Sequence, residues 1–204
     1  MTAVMVLAYI ASGSVWRNYE ERILGEEPAG FPGYSVYVGF NIETGGSYCD
    51  EDMELLQSRY FGEDNESAEQ AQRYMMERAK ERIRENRKEL PQMMLKKLGT
   101  LLGHDEAGAF YAKESLPPRV YSLLCILCNV WYYSLCLLAV PGALHFGREG
   151  ESGAILLLPL FAVGLVLAQL LVEVAARYHY VLIPILTLLA ALSLSFPLGS
   201  EKPR

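Results

Sequence analysis

The residues best suited to chemistry lie where two apolar runs meet, in Glu173-Val-Ala-Ala-Arg-Tyr-His-Tyr180. Glu173 and Arg177 are four apart with the acid first, the favourable order for an ion pair on one helix face. Gln169, one turn earlier, extends them into a polar stripe. A guanidinium can hold a phosphate through two parallel N–H bonds. Tyr178, His179 and Tyr180 follow, residue types suited to the headgroup level of a bilayer. Arg177, Glu173, Tyr178 and His179 are therefore candidates for binding the phosphate of an anionic lipid. The plainer reading is an ion pair whose long side chains snorkel and anchor a helix end.

A second polar group, Asp50-Glu51-Asp52, stands just before the helical pattern of Met53, Leu55 and Leu56. Acids there cap a helix and favour its positive end. Asp50 and Asp52 are also candidate oxygen ligands for a divalent cation, although the spaced set of a calcium loop is incomplete. Cys125, Cys128 and Cys136 stand inside an apolar run, which favours inert packing over a redox or zinc role. Cys49 lies in the polar half.

The elements that must position these groups follow from a split in composition. Of 204 residues, 51% are hydrophobic. Residues 17–118 carry 13 Lys/Arg against 20 Asp/Glu, whereas residues 119–204 carry 5 against 4. One part is thus acidic and water-soluble, the other a membrane segment. No clustered basic face is present, which argues against nucleic acid as a partner. The expected fold is an α-helical integral membrane protein with about three complete transmembrane helices, near residues 120–140, 153–172 and 180–197. A short apolar helix, 1–16, precedes a mainly helical extracytoplasmic loop domain, 17–118. That first run is short of the about 20 residues a crossing needs, and reads best as the tail of a longer helix. The positive-inside count puts Arg148, Lys202 and Arg204 in the cytoplasm and residues 17–118 outside.

Within the loop domain, Arg17 begins a helical extension that should end in a turn at Pro28–Gly33. Tyr34-Ser-Val-Tyr-Val-Gly-Phe-Asn41 has the aromatic and β-branched content of an extended segment or short strand. Gly45-Gly46 gives a turn. Ser67 and Gln70 match a capping box, and Ala68, Ala71, Met75, Ala79 and Ile83 mark the apolar face of a helix reaching about Leu90. A second short helix follows Pro91, with Met94, Leu95, Leu98, Leu101 and Leu102 on one side, Lys96 and Lys97 beside them, and Gly103 at its end. Asn129, in the middle of the first span, should face another helix where its amide finds a partner.

Two stretches resemble a known family. Leu171-Val-Glu-Val-Ala-Ala-Arg-Tyr-His-Tyr-Val-Leu-Ile-Pro-Ile-Leu186 is similar to the closing pattern of bacterial GT-C-fold membrane glycosyltransferases that use polyprenyl-phosphate sugars. These are the dolichyl-phosphate-mannose–protein mannosyltransferase-like and aminoarabinose-transferase-like proteins. Pro32–Asn41 with Gly45-Gly-Ser-Tyr48 and Glu51-Asp52 resembles one of their extracytoplasmic loops. The resemblance covers roughly residues 32–103 and 169–192. It implies a multi-pass protein of the bacterial cell membrane, a lipid-linked sugar as donor substrate, and Arg177 on the donor phosphate. Members have many more membrane helices and a catalytic Asp near the N-terminus, which nothing before Arg17 supplies. The chain is then expected to be a C-terminal portion, inactive alone, with the missing N-terminal part as a partner. The alternative is a non-enzymatic membrane interaction or assembly subunit whose outer domain binds a partner.

Overall fold

The structure, a computed structural model, describes residues 2–25, 32–62, 66–149 and 153–195. Among them are eight α-helices and no strand: α1 Thr2–Leu24, α2 Gly33–Gly39, α3 Asp50–Phe61, α4 Ala68–Glu85, α5 Leu90–Leu102, α6 Pro118–Glu149, α7 Gly153–Leu170 and α8 Ile183–Ser195. Two short 3-10 helices, Phe110–Ala112 and Ala176–Leu182, complete the order. The expected turn residues 28–31 and the C-terminal tail lie outside the described residues.

Two stretches are long and apolar enough to cross a membrane, Pro118–Leu144 and Ala176–Ser195. Two of the three expected spans are thus found among the described residues; the third is occupied by the apolar helix α7, Gly153–Leu170, which ends two residues before Val172. Helix α6 also runs on through Pro141 to Glu149, where a connection was expected from Pro141. Gly142 lets α6 and α8 approach closely, since a Cβ there would stand 2.0 Å from the Leu189 carbonyl oxygen. Ala139, Ile185 and Leu189 form the small core of that contact.

The polar part has its own core, built from α2, α3 and α4. Ser67 Oγ accepts from the Gln70 amide and Gln70 Oε1 accepts from the Ser67 amide, so the capping box forms and starts α4. Ala71, Met75 and Ala79, four apart, are its buried face. Onto that face packs α2, where a short strand was expected. The helix wins because Tyr34, Tyr37 and Val38 fall on one side at helical spacing and all are buried there. Tertiary bonds secure it: the Tyr34 amide donates to Gln72 Oε1 at 2.8 Å, and Arg82 Nη1 donates to the Tyr37 carbonyl at 2.9 Å. β-Propensity reflects fit to a half-buried pleated surface, so a different surface overrides it.

Helix α5 joins this part to the candidate spans. Its buried residues are Met93, Lys97 and Leu101; of the expected apolar face Leu101 is buried, Met94, Leu98 and Leu102 are half-buried and Leu95 is 70% exposed. Lys97 is fully buried. Its ammonium donates to the carbonyls of Gly39 (2.9 Å), Leu170 (2.7 Å) and Val172 (2.5 Å). One cation thus holds the ends of α2 and α7 together. Burial pushes it down to about 8 from 10.5. Gly46, at φ +80°, leaves room for the lysine stem: a Cβ there would lie 3.0 Å from Lys97 Cδ and Cε.

Candidate functional site

The segment after α7 carries the candidate phosphate-binding residues, and its backbone is diverted from helix. The Glu173 amide donates to the Ser35 carbonyl at 2.7 Å, and the Val174 amide donates to the Gly46 carbonyl at 2.9 Å. The carbonyls of Leu170 and Val172 are taken by Lys97. With these groups engaged elsewhere, the i to i−4 ladder stops at Leu170, and the chain restarts as a 3-10 helix at Ala176. The expected helical stripe of Gln169, Glu173 and Arg177 therefore does not form. Glu173 and Arg177 make no ion pair among the described residues.

The four candidates part company. Glu173 lies near the loop domain, where Tyr178 Oη donates to its Oε1 at 3.5 Å. Burial first, and the Glu173 charge second, push the Tyr34 hydroxyl up to about 12. His179 is fully buried, with its ring centroid 4.6 Å from that of Tyr132 and 4.7 Å from that of Tyr180. Its Nε2 is 3.5 Å from Asp105 Oδ1, but neither ring nitrogen has a hydrogen-bond partner among the described residues. Arg177 and Tyr178, by contrast, line an open cleft of about 590 Å³. The Arg177 side chain is exposed, with its guanidinium carbon 5.4 Å from the Tyr178 ring centroid. Opposite walls come from the loop after α5 and the start of α6, through His104, Glu106, Phe110, Tyr111 and Tyr121. Gln169 also lines the cleft, and its Oε1 is buried with no partner among the described residues.

His104-Asp105-Glu106 is the group that motif reading passed over. The available signal was three consecutive titratable residues directly after the glycine that ends α5 and shortly before a span. Asp105 is buried, and its carboxylate accepts from Tyr180 Oη at 2.7 Å. Its amide donates to Asn129 Oδ1 at 2.8 Å. Asn129 thus finds its partner in this loop, whereas a neighbouring helix was expected to provide it.

The acidic cluster at α3 is arranged for structure. Asp50, Glu51 and Asp52 occupy the first turn, where negative charge complements the helix dipole. Asp52 is buried and accepts from Arg82 Nη1 at 3.1 Å, Arg82 Nη2 at 3.0 Å and Asn41 Nδ2 at 3.0 Å. The Arg82 guanidinium also stacks 3.6 Å over the Tyr37 ring. Both Asp52 oxygens are occupied, and no group of three or more His, Cys, Asp or Glu able to hold a metal occurs among the described residues.

Comparison with protein-family models, curated proteins and solved structures finds no match for this chain.

Proposed function

We propose that the Arg177 cleft binds the phosphate of a lipid-linked sugar, and that the chain acts in glycosyl transfer from a polyprenyl-phosphate donor at the outer face of a bacterial membrane. The observation that carries this reading is an exposed guanidinium, with no ion pair among the described residues, lining an aromatic cleft at the end of a candidate span. Arg177 supplies the planar fork that suits a phosphate. Phe110, Tyr111, Tyr121 and Tyr178 offer flat faces for a sugar ring, and the unpartnered Gln169 Oε1 offers an acceptor for a sugar hydroxyl. Glu106 adds a carboxylate to the same cleft. In the transfer it would take the proton of the acceptor hydroxyl as that oxygen bonds to the sugar's anomeric carbon, the anomeric carbon–phosphate oxygen bond breaks and the lipid phosphate departs on Arg177. Multi-pass insertion is supported by the two spans and by α7 between them.

The test is titration of a fluorescent polyprenyl-phosphate analogue against detergent-solubilised protein. Arg177→Lys should fold normally and bind about tenfold more weakly, which is ~1.4 kcal/mol, roughly one charge-assisted hydrogen bond. Glu173→Gln should bind as wild type does, because Glu173 is not among the cleft-lining residues. Equal affinity for wild type and Arg177→Lys, or no saturable binding by wild type, would leave Arg177 as a membrane anchor only.

A further inference from the structure

A second cavity lies beside the first. This groove of about 640 Å³ is lined by Leu127, Trp131, Ile183 and Pro184, and by Asp105 and Tyr180. Its apolar walls belong to α6 and α8, both within candidate spans, and Leu127 and Trp131 are more than half exposed. Tyr180 also lines the Arg177 cleft, so it is a wall common to both cavities. The two cavities differ in charge. The cleft holds Arg177 beside Glu106, while the charged residue lining the groove is Asp105, so it is the cleft that offers an anion a cationic partner. An amphiphile with an anionic head therefore has one favourable orientation, head in the cleft and chain in the groove.

We propose that the hydrocarbon chain of a phosphate lipid occupies this groove and that Tyr180 is the movable wall the chain must pass; the inference rests on the headgroup reading of the Arg177 cleft. Three observations describe the wall. Tyr180 Oη donates to Asp105 Oδ1 at 2.7 Å, a bond to a buried carboxylate that holds the ring in place. The space around the hydroxyl exists because residue 108 is glycine: a Cβ there would lie 3.0 Å from Tyr180 Oη. A replacement donor stands ready, since His179 Nε2 is 3.5 Å from the same Asp105 oxygen and both His179 nitrogens are buried without hydrogen-bond partners. When Tyr180 swings out, a small shift of the imidazole lets an N–H take over the Asp105 oxygen, so the buried acceptor is not left unpaired. This gives the orphaned nitrogens of His179 a use that the closed arrangement does not. Asp105 thus has two alternative donors, Tyr180 in the closed state and His179 in the open one.

The chain has two tryptophans, so Trp16→Phe leaves Trp131 as a sole reporter inside the groove. The probe is an alkyl phosphate brominated in mid-chain, added to full-length protein in detergent. The matching brominated alcohol controls for partition into the micelle. Ethyl phosphate, which has a head and almost no chain, competes, and its own affinity is measured by calorimetry. The expected result is saturable quenching of Trp131 by the brominated phosphate, relieved by ethyl phosphate, with only linear quenching by the alcohol. Tyr180→Phe, which keeps the ring and removes the hydroxyl, should speed the onset of quenching about tenfold. Gly108→Ala, which crowds the hydroxyl, should act in the same direction, and His179→Phe should slow the onset. Saturable binding of both phosphates without saturable quenching would overturn the groove proposal and leave the headgroup reading standing. No binding of either phosphate would overturn both. Wild-type rates in both Tyr180→Phe and Gly108→Ala would remove Tyr180 as the moving wall.

Discussion

Replacing Lys97 by methionine removes one charge and three hydrogen bonds from the junction between the polar, α2–α4 part and the candidate spans. Methionine is close in shape and apolar, so the change is electrostatic rather than steric. The lost bonds are those to the carbonyls of Gly39, Leu170 and Val172. Bonds to a charged donor contribute about 1.5–3 kcal/mol each. Against that, the substitution relieves the desolvation of a buried ammonium, at most ~3 kcal/mol for a fall from 10.5 to about 8. The expected net loss at neutral pH is roughly 2–6 kcal/mol. The pH dependence supplies the sign. With the folded-state value below the unfolded one, the unfolded chain binds more protons between pH 8 and 10.5, so wild-type stability rises across that window. The variant lacks this group, and its deficit should widen there. Thermal unfolding in detergent from pH 7 to 10.5 measures the deficit, provided other groups titrate alike in both proteins. Amide exchange at Glu173 and Val174 measures the local effect, since their amides bond to Ser35 and Gly46 across the same junction. A variant as stable as wild type, or a deficit that shrinks above pH 8, would refute the assignment of Lys97 as the staple of this junction.

Three further outcomes are expected. Asp52→Asn should destabilise the loop domain by about 3 kcal/mol in chemical denaturation, because it strips the half-buried Arg82 guanidinium of its charged, buried partner; calcium should not shift wild-type stability, since both Asp52 oxygens are occupied. Gly142→Ala should lower the thermal midpoint sharply, a loss of about 3 kcal/mol, as α6 and α8 must separate to clear a 2.0 Å contact with Leu189. Cys49 should react with a membrane-impermeant thiol reagent in intact cells, whereas buried Cys125 should react poorly; labelling of Cys49 only after lysis would reverse the orientation.

Local signals in the sequence carried over into the structure, and signals that depend on distant partners did not. The Ser67–Gln70 capping box needs only four residues, and it forms. Gly45 and Gly46 both take positive φ in the expected turn. The buried Ala71, Met75 and Ala79 follow directly from helical spacing. Lys97 shows the opposite case. Read locally it stands beside an apolar face, yet its three acceptors come from 58, 73 and 75 residues away. The same long-range bonds end α7 and undo the Glu173–Arg177 pairing that spacing alone suggested. The α2 segment was misread because its β-branched content was given more weight than the helical spacing of Tyr34, Tyr37 and Val38. Arg177 and Tyr178 were legible as candidates from their place between two apolar runs, and both line the cleft. Glu106 and His104 were not, because only the fold brings their loop against that boundary.

The central claim is that the Arg177 cleft is where a phosphate lipid binds. The direct measurement is photocrosslinking with a polyprenyl phosphate that carries a small photoreactive group next to its head, followed by mass spectrometry of the peptides. Crosslinks confined to residues 104–111, 121 and 175–181, and abolished by excess unlabelled lipid phosphate, are the result this account predicts. Crosslinks spread along the lipid-facing sides of α6 and α8, unchanged by competitor, would contradict it.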